Sequence, residues 1–240
     1  MPVYKRILLK LSGEALSGEH GSVFDSDAIT SLCNQIRTVH DLGVETAVVV
    51  GGGNIFRGLK ASHDGMNRVT ADSMGMLATM INGLALQEGL ERTGIESRIL
   101  SSRAVEELTE PFNQRYAIQY LEQGNIVIFV GGTGNPFFST DSAASLRAAQ
   151  IRADVVLKGT KVDGVYDSDP VTNHSAKKFD TITFNEVLNR DLLVMDATAI
   201  AMCRENNIPI VVFNLIKEGT LIRAINGEPV GTVVKENVNG

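Results

Sequence analysis

The chain has 240 residues, 43% of them hydrophobic, with 22 Lys and Arg against 28 Asp and Glu for a net charge of −6. This length can bury one large core, and the acidic balance argues against nonspecific binding to nucleic acid or an anionic membrane, so any cationic site must be local. Cys33 and Cys203 form no Cys-x-x-Cys pair and the four histidines lack ligand spacing, which predicts buried free thiols and no zinc site.

Hydrophobic period and breakers place strands at about Tyr4 to Leu11, Glu45 to Val50, Glu96 to Leu100, Asn125 to Val130, Asp154 to Lys158, Ile208 to Phe213 and Thr232 to Lys235. Helical patterns alternate with them. The first runs from a Ser26 cap to about Leu42, stopped by Gly43, and a long one runs from about Ala71 to Arg92, ended by Gly94. Further helices fit Asn113 to Gln123, Asp141 to Ile151, Thr183 to Asn189 with Thr183 and Glu186 as a capping box, and Asp196 to Asn206. Strands such as Thr46 to Val50 and Ile126 to Val130 are apolar on both faces. Such strands in alternation with helices call for an α/β fold of three layers, α/β/α, with a mainly parallel central sheet.

No linker divides the chain, which reads as a single domain over residues 1–240. The uncharged stretches Ser73 to Gln87 and Asn125 to Thr140 fall short of the roughly 20 residues a membrane span needs. Met1 to Arg6 runs into a strand pattern without a signal-type apolar core, which predicts a cytoplasmic protein. The stripe of Met74, Met76 and Met80 with Leu77 and Leu84 reads as core or subunit packing.

Two strands end in glycine: Val48 to Val50 leads into Gly51-Gly52-Gly53-Asn54, and Ile126 to Val130 leads into Gly131-Gly132-Thr133-Gly134-Asn135. Bare backbone amides at a strand end suit phosphate, although a single glycine run also serves as an ordinary turn. Lys10, Arg57, Lys60, Arg68, Lys158 and Lys161 supply cations near these turns. A Walker loop is excluded because Leu59 stands where its lysine should follow Gly58. A dinucleotide fingerprint is weakened, since Phe56 and Phe137 stand at the third glycine positions.

Lys10, in Lys10-Leu11-Ser12-Gly13-Glu14, ends the first strand where ligands of parallel sheets bind, and reads either as a solvated lysine or as a neutraliser of phosphate charge. Arg57 has the same two readings. Thr133 to Asp141 delivers hydroxyls and an amide before a helix start. There Ser139, Thr140 and Asp141 are caps or recognition groups, and Asp141 could organise a lysine or Mg²⁺. For Asp72 the choice lies between the helix dipole and ribose hydroxyls. Lys161 to Pro170 is a turn-rich loop in which Tyr166 covers the core or flanks a base.

Taken in order, these segments resemble the bacterial UMP kinases of the amino acid kinase family, from about Tyr4 to Val234. Related kinases for acetylglutamate, glutamate, aspartate and carbamate share the lysine strand and glycine turns. Gly132 to Asp141, Gly-Thr-Gly-Asn-Pro-Phe-Phe-Ser-Thr-Asp, is similar to the UMP branch alone. The resemblance implies an amino acid kinase-like fold and ATP-dependent phosphorylation of UMP to UDP with Mg²⁺. The UMP side would lie mainly within 1–150 and the ATP nucleoside side mainly within 151–240. It implies that Lys10, Leu11, Ser12, Gly13, Gly53, Arg57, Thr160, Tyr166 and Asp169 contact ATP. Gly52, Asp72, Thr133, Gly134, Asn135, Pro136, Phe137, Phe138, Ser139 and Thr140 would bind UMP, and Lys10, Arg57, Asp141 and Asp196 would be catalytic, Asp196 having helix capping as its other reading. A homohexamer activated by GTP and inhibited by UTP is implied as well. Residues 18–23, Gly-Glu-His-Gly-Ser-Val, depart from the Gly-Phe-Gly of many members, which bears on the GTP response. A uridine-nucleotide sensor without turnover, or another phosphotransferase of the family, is the alternative.

Overall fold

The computed structural model describes residues 1–18, 22–103, 105–170, 172–173 and 175–236. Its strands are β1 (Arg6–Leu11), β2 (Glu45–Val50), β3 (Ser97–Ser101), β4 (Glu110–Pro111), β5 (Ile126–Val130), β6 (Val155–Thr160), β7 (Val165–Tyr166), β8 (Lys178–Phe179), β9 (Thr181–Thr183), β10 (Ile210–Asn214) and β11 (Gly231–Lys235). The α-helices are α1 (Ser26–His40), α2 (Gly58–His63), α3 (Arg68–Arg92), α4 (Gln114–Glu122), α5 (Thr140–Ile151), α6 (Phe184–Asn189), α7 (Ala197–Glu205) and α8 (Thr220–Ile225). A 3-10 turn at Gly13–Leu16 follows β1.

Nine strands form one sheet in the order β4-β3-β5-β2-β1-β6-β10-β11-β9, and β7 and β8 form a separate antiparallel ribbon. All pairings in the large sheet are parallel except β10 with β11. Strand β1 is completely buried, with β2 on one side and β6 on the other. The crossovers fill the β2 side first and then return to lay β6 and β10 on the opposite side. A reversal of this kind opens a crevice at the carboxyl ends of the strands.

Alternation along β1 divides the core. Ile7, Leu9 and Leu11 point to the layer of α1, α3 and α8, while Leu8 points to the layer of α4 to α7. By the same alternation Lys10 emerges on the α5 side, one step beyond Leu8. Cys33 and Cys203 are buried on opposite faces, and burial pushes their thiols up to about 12 and about 11 respectively.

Caps account for most shifts in the expected boundaries. Asp25, not Ser26, caps α1 by accepting from Asp27 and Ala28 amides at 3.0 and 2.8 Å, which puts Ser26 inside the first turn. Asn67 caps α3 and moves its start back to Arg68. Thr183 and Glu186 form the capping box expected of them. The methionine stripe divides: Met76 and Met80 are core and Leu84 packs against it, whereas Met74 and Leu77, with Ile81 beside them, are exposed on α3.

Candidate active site

Three chain reversals gather at the carboxyl ends of β1, β2 and β5. A Cβ added at Gly51 would lie 3.3 Å from the Gly13 nitrogen and 3.4 Å from Thr140 Oγ1, so the turn after β2 sits against both the turn after β1 and the end of the segment after β5. Asn82, wholly buried on α3, ties them down by donating to the Gly51 carbonyl at 2.6 Å and to Asn54 Oδ1 at 2.7 Å. The two glycine runs serve different ends. At Gly52 the limit is space, since a Cβ would lie 2.9 Å from the Gly75 carbonyl of α3. In the second run it is conformation, with φ of 76°, 60° and 83° at Gly131, Gly132 and Gly134.

Lys10 and Lys158 are register partners on β1 and β6, and both reach the first turn of α5. Lys10 Nζ lies 2.6 Å from Asp141 Oδ1 and Lys158 Nζ lies 2.9 Å from Oδ2. The Lys158 contact is a hydrogen bond, whereas that of Lys10 is a close ion pair without hydrogen-bond alignment. Lys158 also donates to the Val194 carbonyl. All three side chains are largely shielded from solvent. Burial pushes the Asp141 carboxyl up, but the nearby charges of Lys10 and Lys158, with the Lys158 hydrogen bond, more than offset this and hold it below its ordinary value. Burial dominates at Lys158 and lowers its pKa, with Lys10 adding to the shift and Asp141 opposing it. Two cations against one carboxylate leave this cluster a net charge of +1, suited to a more highly charged anion.

Asp196 caps α7 by accepting from the Ala199 amide at 2.9 Å. The same carboxylate accepts from Ser139 Oγ and from Ser142 Oγ, the latter at 2.9 and 3.1 Å. Ser139 in turn caps α5, accepting from the Asp141 amide at 2.9 Å. Asp196 thus stands behind the turn that carries Asp141.

A cavity of about 650 Å³ opens between α2, α3 and the segment 132–140. Of the residues expected at the acceptor, Gly52, Asp72, Thr133, Asn135, Phe137, Phe138, Ser139 and Thr140 line it, as do Gly53 and Arg57 from the donor set. Gly134 and Pro136 do not line it. Asp72 accepts from Arg68 Nε at 2.9 and 2.8 Å and from the Phe137 amide at 2.7 Å. With Asn67 as the cap, Asp72 lies past the first turn of α3, where the helix dipole has faded. Its carboxylate fastens the loop instead. Phe137 holds φ at 70°, and the Arg68 guanidinium sits 5.4 Å from its ring centre.

A second cavity of about 600 Å³ is lined by Ser12 and Thr160 of the donor set, together with Glu14 and Lys161. Tyr166 and Asp169 line neither cavity; Tyr166 lies on β7 and donates its hydroxyl to Asp163 Oδ1 at 2.7 Å. Several residues at the site carried no assigned role in the sequence. Lys158 was one cation among six, and only its register with Lys10 singles it out. Glu14 meets Arg57 and Lys161, Thr79 Oγ1 accepts from the Gly131 amide at 2.8 Å, and Ser102 Oγ donates to the Gly131 carbonyl at 2.6 Å.

An anion crevice at the carboxyl ends of parallel strands, with paired lysines, a shared carboxylate and glycine turns, defines the class: an α/β protein of the phosphate-handling kind. Residues 5–214 match the model of the amino acid kinase family, and the chain belongs to that family. Among solved structures it is similar to the UMP kinase of Bacillus anthracis, at 40% identity and a TM-score of 0.95 over 99% of this chain and 98% of that one. A UMP kinase from Ureaplasma parvum matches at 40% identity and a TM-score of 0.91, covering 97% of this chain and 99% of its own. The uridylate kinase of Archaeoglobus fulgidus matches at 29% identity and a TM-score of 0.74 over 98% and 100%.

Proposed function

We propose that this chain transfers the γ-phosphoryl group of ATP to the phosphate of UMP, giving ADP and UDP, a step of pyrimidine nucleotide synthesis. One observation carries the reading: Lys10 and Lys158 meet on Asp141 at the strand ends, beside a cavity lined by most of the residues that mark the UMP branch. The similarity to UMP kinases over nearly the whole chain supports the same acceptor.

In the proposed reaction an oxygen of the UMP phosphate attacks the γ-phosphorus while the bond to the bridging oxygen breaks and ADP leaves. The attacking oxygen is already anionic, so no general base is needed and catalysis reduces to alignment and charge neutralisation. Lys10 and Arg57 meet the transferring charge, with Lys158 beside Lys10. Asp141 orients both lysines, and Asp196 acts through Ser139 and Ser142. The donor phosphates run past Leu11, Ser12, Gly13 and Gly53 toward a nucleoside end near Thr160, Tyr166 and Asp169. The acceptor takes Gly52, Asp72 and Thr133 to Thr140.

Mg²⁺ belongs to the substrate, as MgATP, where it screens the donor phosphates. This fits the residues present. Asp141 is engaged by two lysines and Asp196 by two serines and an amide, and no group of three His, Cys, Asp or Glu among the described residues is arranged to hold a metal.

Assembly and regulation belong to the same proposal. Met74, Leu77 and Ile81 form an exposed apolar stripe on α3, which favours packing between subunits and fits a homohexamer. Activation by GTP and inhibition by UTP are the implied responses, and residues 19–21 of the departing segment lie outside the described residues. A cytoplasmic setting is part of the proposal; no helix among the described residues is long and apolar enough to cross a membrane.

The test is ADP release with UMP, CMP, dUMP, acetylglutamate and carbamate as acceptors. UMP should be turned over best. Faster turnover of another acceptor would move the chain elsewhere in the family, and UMP binding without UDP would make it a sensor.

A further inference from the structure

Glu14 follows Gly13 in the 3-10 turn after β1, and its carboxylate is shared. Oε1 accepts from Arg57 Nη2, and Oε2 lies 3.3 Å from Lys161 Nζ. Arg57 comes from the connection after β2, where its Nε also donates to the Gly53 carbonyl at 3.3 Å, and Lys161 follows β6. Since β2 and β6 flank β1, one carboxylate joins cationic arms that arrive from both sides of the central strand. Arg57 lines the larger cavity and Glu14 and Lys161 the second, so this ion pair also links the two.

We propose that Glu14 is a specificity-determining residue for the phosphate donor, its carboxylate neutralising Arg57 and Lys161 until a polyphosphate displaces it. This inference rests on the reading that ATP phosphates meet Arg57. A triphosphate carries several charges along its length and can satisfy both arms at once, whereas a single phosphate group offers less than two charges at one point. Glu14 and Arg57 are partly open to solvent, with side chains 38% and 63% exposed. Exposed ion pairs are weak, so the carboxylate is a light latch that a strong anion removes and a weak one does not.

The experiment is steady-state kinetics of Glu14→Gln, which keeps the shape and removes the charge. KM for ATP should fall about threefold with kcat within about twofold, because the arms no longer need to be released from a competitor. AMP should inhibit against ATP at least about threefold more strongly than in wild type, narrowing donor discrimination, while KM for UMP stays put. Should Glu14→Gln unfold, Glu14→Asp, too short to reach both arms, should give the same direction of change. An unchanged or raised KM for ATP would overturn the inference, as would an equal shift in KM for UMP, which would mark Glu14 as a general brace. Wild-type enzyme that makes no UDP at all would overturn the functional reading as well, whereas normal UDP formation with an unmoved ATP KM in the variant sinks this inference alone.

Discussion

Lys10 and Lys158 stand opposite one another on neighbouring parallel strands, and their ammonium groups meet the two oxygens of a single carboxylate, that of Asp141. Neither lysine can be understood without the other. Burial and the charge of Lys10 disfavour the charged form of Lys158, and the Asp141 carboxylate that both lysines share opposes this most strongly.

Replacing Asp141 with Asn therefore has a readable effect on pH dependence. Burial and the charge of Lys10 both lower the pKa of Lys158, and only Asp141 and Asp196 oppose them. In Asp141→Asn the alkaline limb of kcat/KM should move to lower pH, since Lys158 loses its proton sooner. A pH–rate profile checks this, and an unmoved limb would show that Lys158 titration does not govern turnover.

The same residue sets part of the acid stability. The folded-state pKa of Asp141 lies below the unfolded value of 3.8, so its ionised form stabilises the fold above that pH, and the contribution is lost as pH falls through the lower folded value. Asp163, Asp167 and Glu186 are shifted the same way and persist in the variant. Urea midpoints measured from about pH 5 downward should fall less steeply in Asp141→Asn than in wild type. Parallel slopes would contradict this.

Gly52 offers a test of the cavity wall. A Cβ there would meet Ala78 Cβ at 2.8 Å, the Gly75 carbonyl at 2.9 Å and the Thr79 nitrogen at 3.1 Å, and helix backbone cannot yield as a flexible side chain can. Gly52→Ala should cost about 1–3 kcal/mol by overpacking, and should raise KM for UMP by about tenfold or more as the turn is pushed off α3. Thermal unfolding and UMP titration measure the two effects. A variant that melts and binds like wild type would show that the turn is not held against the helix.

The legible parts of the fold were those with strong local signals. The apolar runs of β2 and β5 gave their strands, and Gly43 and Gly94, with φ of 77° and 82°, gave helix ends. The short elements β4, β7, β8 and β9 have only two or three residues each, too few for a period to register, and they are defined by pairing with a neighbouring strand. Lys10 and the glycine turns could be read because strand ends in parallel sheets collect ligands. Glu14, Asn82, Ser102 and Lys158 could not, since each matters through a partner on another element, 17 to 43 residues away in the chain, and such pairing appears only once register and crossovers are fixed. Asp72 shows the converse: its choice between dipole and ribose was posed at a helix start that Asn67 had already moved.

In the proposed reaction the buried lysine of β1 acts on the phosphoryl group in transit, not on the acceptor nucleoside. Lys10→Ala tests it directly, with kcat from steady-state ADP release set against UMP affinity from calorimetry. In this variant kcat should fall by about 10²–10³ while UMP affinity stays unchanged. Loss of UMP affinity with normal kcat would contradict it.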